Sequence, residues 1–260
     1  MGKVIVITSG KGGVGKTTVV ANLGTALALT GKRVLLIDTD TGLRNLDIAL
    51  GFEDVALYDI IDVVDGNVGV DEAMIEHPVY KSLYMIPASQ TKAKEELDKE
   101  GFKIFCDEIK NRFDYVLIDC PAGIEYGFEC AVYPADEVII LTIPDKNAIR
   151  DADKVAAIIE NEYGESKEAW LLINRLIPEL ADKGKMAGAA ETLLTVSVKL
   201  IGIIPEDPKV FINAYRAVLS VTDKRSMAGK AIKNIAARIN GDKVKLLKFE
   251  KNRIFKNKYK

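Results

Sequence analysis

Apolar residues along this 260-residue chain fall into two alternating kinds of run. One kind is short, continuous and rich in β-branched residues: Val4-Ile5-Val6-Ile7, Arg33 to Ile37, Leu83 to Ile86, Asp114 to Asp119, Glu137 to Thr142, Ala169 to Ile173 and Leu200 to Ile204. Uninterrupted runs of this length read as strands buried on both faces, as a parallel sheet requires. Between them lie segments with helical spacing, from about Lys16 to Leu29, Lys94 to Arg112, Ala148 to Glu162 and Lys224 to Ile239, with another beginning near Val210. Shorter helical pieces reach Met74, and His77-Pro78 interrupts them; His77 is expected to be exposed and without a role. Strands alternating with helices predict a doubly wound α/β domain. It has a mostly parallel sheet of about 7–8 strands, helices on both faces and its site at the strands' C-terminal ends.

The chemistry sits where the pattern says it should. Gly10-Lys11-Gly12-Gly13-Val14-Gly15-Lys16-Thr17-Thr18 follows the first strand and opens the first helix. That is the context in which a glycine-rich phosphate loop is credible. Its backbone N–H groups and the helix N-terminus would cradle phosphates. Lys16 would reach the β- and γ-phosphates, and the Thr17 hydroxyl would sit on Mg²⁺. Two further strands end on acids: Asp38, with Asp40 just beyond it, and Asp119 at the metal-holding position. One carboxylate of the Asp38/Asp40 pair could orient the attacking water while the other supports the metal shell. Trp170 reads as packing.

Composition changes this picture only at the end of the chain. Hydrophobic residues make up 48% and charged residues 28%, ordinary for a globular protein. No run approaches the ~20 apolar residues of a membrane span, and no secretory leader is expected ahead of the first strand. The three cysteines, Cys106, Cys120 and Cys130, lack Cys-x-x-Cys spacing, so neither a disulfide framework nor a zinc site is indicated and a reducing cytoplasm fits best. The overall charge of −2 hides an asymmetry: Lys243 to Lys260 hold eight Lys/Arg and one acid, giving +7 against −9 for the rest. We therefore divide the chain into a body, 1–242, and a basic tail, 243–260, with Asn240-Gly241-Asp242 as stop and hinge. On a helical wheel Val244, Leu247, Ile254, Phe255 and Tyr259 share roughly a 140° arc. Lys248 and Lys251 lie in or beside it, and Phe249 points elsewhere. Basic residues near an anionic surface contribute about 1 kcal/mol each at best, so the lysines can supplement a modest apolar insertion.

Lys11, standing before Gly-Gly-x-Gly-Lys-Thr, makes the loop resemble the deviant P-loop of the ParA/MinD ATPases. Gly42-Leu43-Arg44-Asn45-Leu46-Asp47, Pro87-Ala88-Ser89-Gln90-Thr91, Asp119-Cys120-Pro121-Ala122-Gly123-Ile124-Glu125, Arg150-Asp151-Ala152-Asp153 and Ile204-Pro205-Glu206-Asp207 narrow the resemblance to the MinD family of division-site ATPases, over nearly the whole chain. The resemblance implies an ATP- and Mg²⁺-dependent switch. ATP drives a two-fold homodimer, the dimer attaches reversibly to the inner face of the cell membrane through the tail (Leu247, Lys248, Phe249, Lys251, Ile254 and Phe255), and it recruits a MinC-like inhibitor of division. A MinE-like activator triggers slow hydrolysis and release. It further implies that Lys11 reaches the partner's nucleotide, that Asp40 positions water beside Asp38, and that Asn174, Arg175 and the backbone of Pro205, Glu206 and Asp207 hold adenine. Arg44, Asn45, Arg150, Asp151 and Asp153 would face partners.

Two other readings differ in class. A ParA-like partition ATPase would bind DNA non-specifically, but the acidic body and the Leu, Ile and Phe among the tail lysines make nucleic acid an unexpected partner. An iron–sulfur relative would need bridging cysteine thiolates, and Cys120 lies inside the Asp119 segment while Cys130 stands alone.

Overall fold

A single eight-stranded sheet organises the computed structural model, which describes residues 2–41, 45–51, 57–90 and 97–247. The strands are β1 (Lys3–Thr8), β2 (Val34–Asp38), β3 (Ile75–Glu76), β4 (Leu83–Ile86), β5 (Tyr115–Asp119), β6 (Glu137–Thr142), β7 (Glu168–Leu176) and β8 (Lys199–Pro205). They lie in the order β3-β4-β2-β5-β1-β6-β7-β8, and every pairing is parallel except that of β3 with β4. The helices are α1 (Lys16–Ala28), α2 (Leu46–Leu50), α3 (Ile60–Val64), α4 (Val70–Ala73), α5 (Lys99–Ile109), α6 (Tyr126–Val132), α7 (Lys146–Tyr163), α8 (Pro178–Asp182), α9 (Ala189–Thr195), α10 (Pro208–Tyr215) and α11 (Met227–Ile239).

The period-2 geometry of a strand sorts side chains to two cores. Val4 and Val6 of β1 join Phe102, Cys106 and the α6 and α7 residues on one face. Ile5 and Ile7 join α1, α2 and α11 on the other. This is the doubly wound layer the hydrophobic pattern predicts. Helix α1 shows why that pattern is not always amphipathic. It is buried over nearly its whole surface, Lys16 included, because it lies between the sheet, α2 and α11.

The helices α6, α8 and α9 lie outside the expected set. They are five to seven residues long, too short for periodicity to register, and α6 is held by tertiary burial of Phe128, Cys130 and Ala131. Helix α5 starts at Lys99 because Asp98 caps it, accepting from Gly101 N; the expected start at Lys94 lies outside the described residues. Strand β7 runs on to Leu176, so Asn174 and Arg175, the expected end of the strand, lie within it.

The expectation for His77 is corrected. The ring is 4% exposed. Its Nδ1 accepts from Val79 N at 3.1 Å and Tyr80 N at 3.2 Å, and Nε2 lies 3.2 Å from Leu50 O. With Nδ1 accepting twice, Nε2 carries the proton and donates. His77 thus caps the β3–β4 turn and ties it to the end of α2, and burial lowers its pKa. Among the described residues no helix is long and apolar enough to cross a membrane, and the three cysteines are free and buried.

Candidate nucleotide-binding site

The loop between β1 and α1 sits at the C-terminal edge of the sheet, where strand order reverses around β1. Gly15 is the N-cap of α1 in the left-handed region, φ 98°, and has no side chain to cap the helix. The first amides of α1 are therefore left to a ligand, the usual origin of anion sites at helix starts. A Cβ at Gly15 would lie 2.8 Å from Asn174 Nδ2, and one at Gly10 would lie 2.7 Å from Asp151 O. Gly10 is required by that approach to backbone, and Gly15 by its left-handed φ of 98°. Lys16 is buried, and its Nζ donates to Ser9 Oγ at 3.0 Å, while Ser9 Oγ donates to Lys11 O at 2.8 Å. The ammonium is thus aimed across the mouth of its own loop. Lys11 behaves differently: its Nζ reaches Asp145 Oδ1 of the α7 cap at 3.1 Å, and both side chains are nearly half exposed.

Two acids face each other beside this loop. Asp38 and Asp119 are register partners at the ends of β2 and β5. Asp38 is 1% exposed and accepts from Asp40 N at 2.9 Å and Leu46 N at 3.3 Å. Burial pushes its pKa up to about 7, against those two backbone bonds. Asp119 is buried with both carboxylate oxygens lacking a hydrogen-bond partner of standard geometry. Burial and then Asp38 raise its pKa well above the usual carboxylate range, opposed by the Thr17 hydroxyl and the Lys16 ammonium. Two orphaned buried oxygens next to a threonine hydroxyl are a donor set that fits a hard divalent cation. Among the described residues no group of three or more His, Cys, Asp or Glu could hold a metal by itself. An ion here would complete its shell with phosphate oxygens and water, the way P-loop sites hold Mg²⁺.

Beside the loop lies a cavity of about 360 Å³ bounded by Gly15, Thr18, Asn174, Arg175, Pro205 and Asp207, with Val210, Phe211, Ala228 and Ile232 supplying its apolar wall. A register shift builds it. Ile173 pairs with Ile203 and Leu176 with Pro205, so β7 carries one extra residue at 174–175, opposite Ile204, and Arg175 takes φ 57°. Bulges re-aim side chains next to sites. Here Asn174 turns to donate Nδ2 to Val14 O at 2.8 Å, joining this cavity to the glycine-rich loop. Asp207 lines the cavity, but its oxygens accept from Lys209 N, Ser226 Oγ and Ala228 N. Burial opposes its ionisation, yet these bonds prevail and lower its pKa. Its carboxylate fastens α10 to α11.

The residues expected from the sequence to bind nucleotide and metal therefore converge on one edge of the sheet. Asn45, Arg150 and Asp153 are exposed and Asp151 is half-buried, on α7 or at the start of α2. Arg44, Lys248, Phe249, Lys251, Ile254 and Phe255 lie outside the described residues. Leu247 is partly buried against the α1/α11 core. Asp145 and the apolar wall of the cavity escaped the sequence reading, which gives Ser9 no role of its own. The Asp-Lys step between the sixth strand and its helix could have flagged Asp145 as a cap; nothing local could have flagged Val210 or Ala228.

Fold and site together define a P-loop nucleotide-binding protein, and a family model described as an AAA domain matches residues 2–169. A septum site-determining protein MinD from Synechocystis is 44% identical over 96% of this chain and 93% of its own length. In the MinC:MinD cell division protein complex of Aquifex aeolicus, the matching chain superposes with a TM-score of 0.87 at 42% identity, covering 95% of this chain and 99% of that one. MinD complexed with Mg-ADP from Pyrococcus horikoshii gives 0.82 at 28% identity, covering 92% and 96%. The chain belongs to the MinD family of septum site-determining ATPases.

Proposed function

We propose that this chain is an ATP-driven dimerising switch that binds the membrane in its ATP form, recruits a MinC-like inhibitor of division and hydrolyses ATP slowly to release. The observation that carries the reading is the contrast between the two loop lysines. Lys16 is committed to its own loop through Ser9, whereas Lys11 stands at the open edge with Asp145. A second copy facing this edge would draw Lys11 from Asp145 to its own nucleotide, supplying transition-state charge as an arginine finger does.

The remaining roles follow from placement. Lys16 and the α1 amides hold the phosphates, while Thr17 and Asp119 hold Mg²⁺, with Asp38 fixing the Asp40 backbone beside them. Bound Mg²⁺ would supply positive charge against the charge that develops on the phosphates. Asp40 orients the attacking water. Asn174, Arg175 and the 205–207 backbone hold the adenine. Arg150, Asp151 and Asp153 of α7 suit a MinC-like partner and a MinE-like activator, and the Aquifex complex supports a MinC-like partner. The basic tail holds the dimer reversibly on the cytoplasmic face of the membrane, where two weak anchors gain roughly 10² or more in avidity.

Sedimentation velocity with ATP or ADP tests the switch. ATP should give a dimer and ADP a monomer. Asp40→Ala should leave ATP-dependent dimerisation intact and trap the dimer; hydrolysis by that variant at the parental rate would remove Asp40 from its role.

A further inference from the structure

Strands β7 and β8 carry a second register shift, at the end remote from the nucleotide edge. Leu171 pairs with Leu200 and Leu172 with Gly202, so Ile201 has no partner on β7. Strand β8 is also the last in the sheet. A bulge on an edge strand leaves backbone groups to be satisfied from elsewhere. Arg238, in the last turn of α11, supplies the donor: its Nη1 donates to Ile201 O at 2.8 Å. The other two nitrogens of the same guanidinium donate to the chain beyond the helix, Nε to Val244 O at 2.8 Å and Nη2 to Lys245 O at 2.9 Å.

The chain is brought there by a tight reversal. Gly241, at φ 91°, donates to Arg238 O and Asp242 N donates to Ala237 O, the paired bonds of a Schellman ending. Beyond it the side chains divide. Leu246 packs against the α5/α7 core and Leu247 against the α1/α11 core. Two consecutive leucines therefore pack against the cores on opposite faces of the sheet. Residues 243–247, assigned to the tail by charge, are fastened to the body.

We propose that Arg238 is a positioning residue for the C-terminal tail: it pins residues 244–247 to the Ile201 bulge, so that the tail leaves the body at Leu247 rather than from a leash hinged at Gly241. The proposal rests on the reading of residues 248–260 as a membrane anchor. Its consequence is geometric. A dimer bearing two weak anchors gains avidity only in proportion to the effective concentration of the second anchor, which falls as the connecting leash lengthens. Releasing 243–247 adds five residues of leash to each anchor and frees the angle between body and anchor. Arginine suits the task because one planar fork spans three carbonyls; lysine offers one nitrogen.

The test uses the full chain, its Arg238→Met and Arg238→Lys variants, and a parental chain with four Gly/Ser residues inserted after Leu247. Amide hydrogen exchange reads the strap, co-sedimentation with phosphatidylglycerol-containing vesicles in ATP reads the anchor, and ATP turnover without vesicles reports an intact body. Arg238→Met should raise exchange over 243–247 by roughly tenfold or more while the interior of α11 stays protected. It should weaken vesicle retention about three- to tenfold with unchanged turnover. Arg238→Lys should not restore retention, and the insertion should reproduce the loss without altering exchange. Unchanged exchange in Arg238→Met would overturn the strap. Unchanged retention in both Arg238→Met and the insertion variant, with the parent binding well, would overturn its positioning role. If the parent binds vesicles no better than a chain ending at Leu247, the membrane reading fails and takes the positioning role with it, while the exchange result still decides the strap.

Discussion

Replacing Asp38 by Asn should stabilise the nucleotide-free protein above neutral pH and slightly destabilise it in acid. The carboxyl is 1% exposed, and burial raises its pKa from 3.8 to about 7. An acid whose pKa is raised by folding binds its proton more tightly in the folded state. Its contribution to stability is fully present below pH 3.8 and is lost as pH rises through about 7. At about 1.36 kcal/mol per pH unit, the accumulated cost by pH 8 is about 4 kcal/mol. Asparagine removes that cost but cannot accept both the Asp40 and Leu46 amides, a loss of about 1 kcal/mol. The net expectation is a gain of about 3 kcal/mol at pH 8, or about 5 °C in Tm for a chain of this size, and a loss of about 1 kcal/mol at pH 4. The Asp38 charge also helps to raise the pKa of Asp119, so its removal relieves Asp119 and adds to the gain at high pH. Urea titrations of the two proteins without nucleotide, from pH 4 to 8.5, measure the difference. If the two stability curves stay parallel across that range, Asp38 is not a strained buried acid and the charge argument for the metal site fails with it. The strain has a use: a pair of acids destabilised without a cation is preorganised to take one.

Two further outcomes bear on the site and its frame. Lys16→Ala should weaken ATP binding at least tenfold, the worth of a charge-assisted bond to phosphate; calorimetry giving parental affinity would remove Lys16 from the phosphate. His77→Gln should cost about 1–3 kcal/mol at pH 8, because a buried acceptor for two amides is displaced. Folding lowers the pKa of His77, so its contribution is present above the unfolded value of 6.5 and fades as pH falls below it. The gap between variant and parent should therefore narrow in acid.

What could be read from the sequence was what is local. The phosphate loop is nine contiguous residues in one strand–turn–helix unit, and Asp38 and Asp119 end apolar runs, so their edge of the sheet followed from the pattern of strands. The misses share one cause. His77 looked exposed beside Pro78, yet its burial depends on Leu50, 27 residues earlier. Strand β7 reads as ending at Asn174-Arg175, short of Leu176, because the bulge that turns Asn174 toward Val14 breaks the period of two on which strand reading depends. Lys11 finds Asp145 across 134 residues. The helical wheel grouped Leu247 with the anchor, whereas the chain from Lys243 to Leu247 forms no helix and Leu247 packs on the core. Charge marked where the tail's composition begins; packing decides where the body ends.

The central claim is that nucleotide state and membrane attachment are one mechanism. Its most direct test is sedimentation with anionic vesicles, comparing ATP with ADP and the full chain with one ending at Leu247. Only the full chain with ATP should pellet with the vesicles. Equal pelleting in ATP and ADP would contradict it, because the tail would then be a constitutive electrostatic anchor uncoupled from the site.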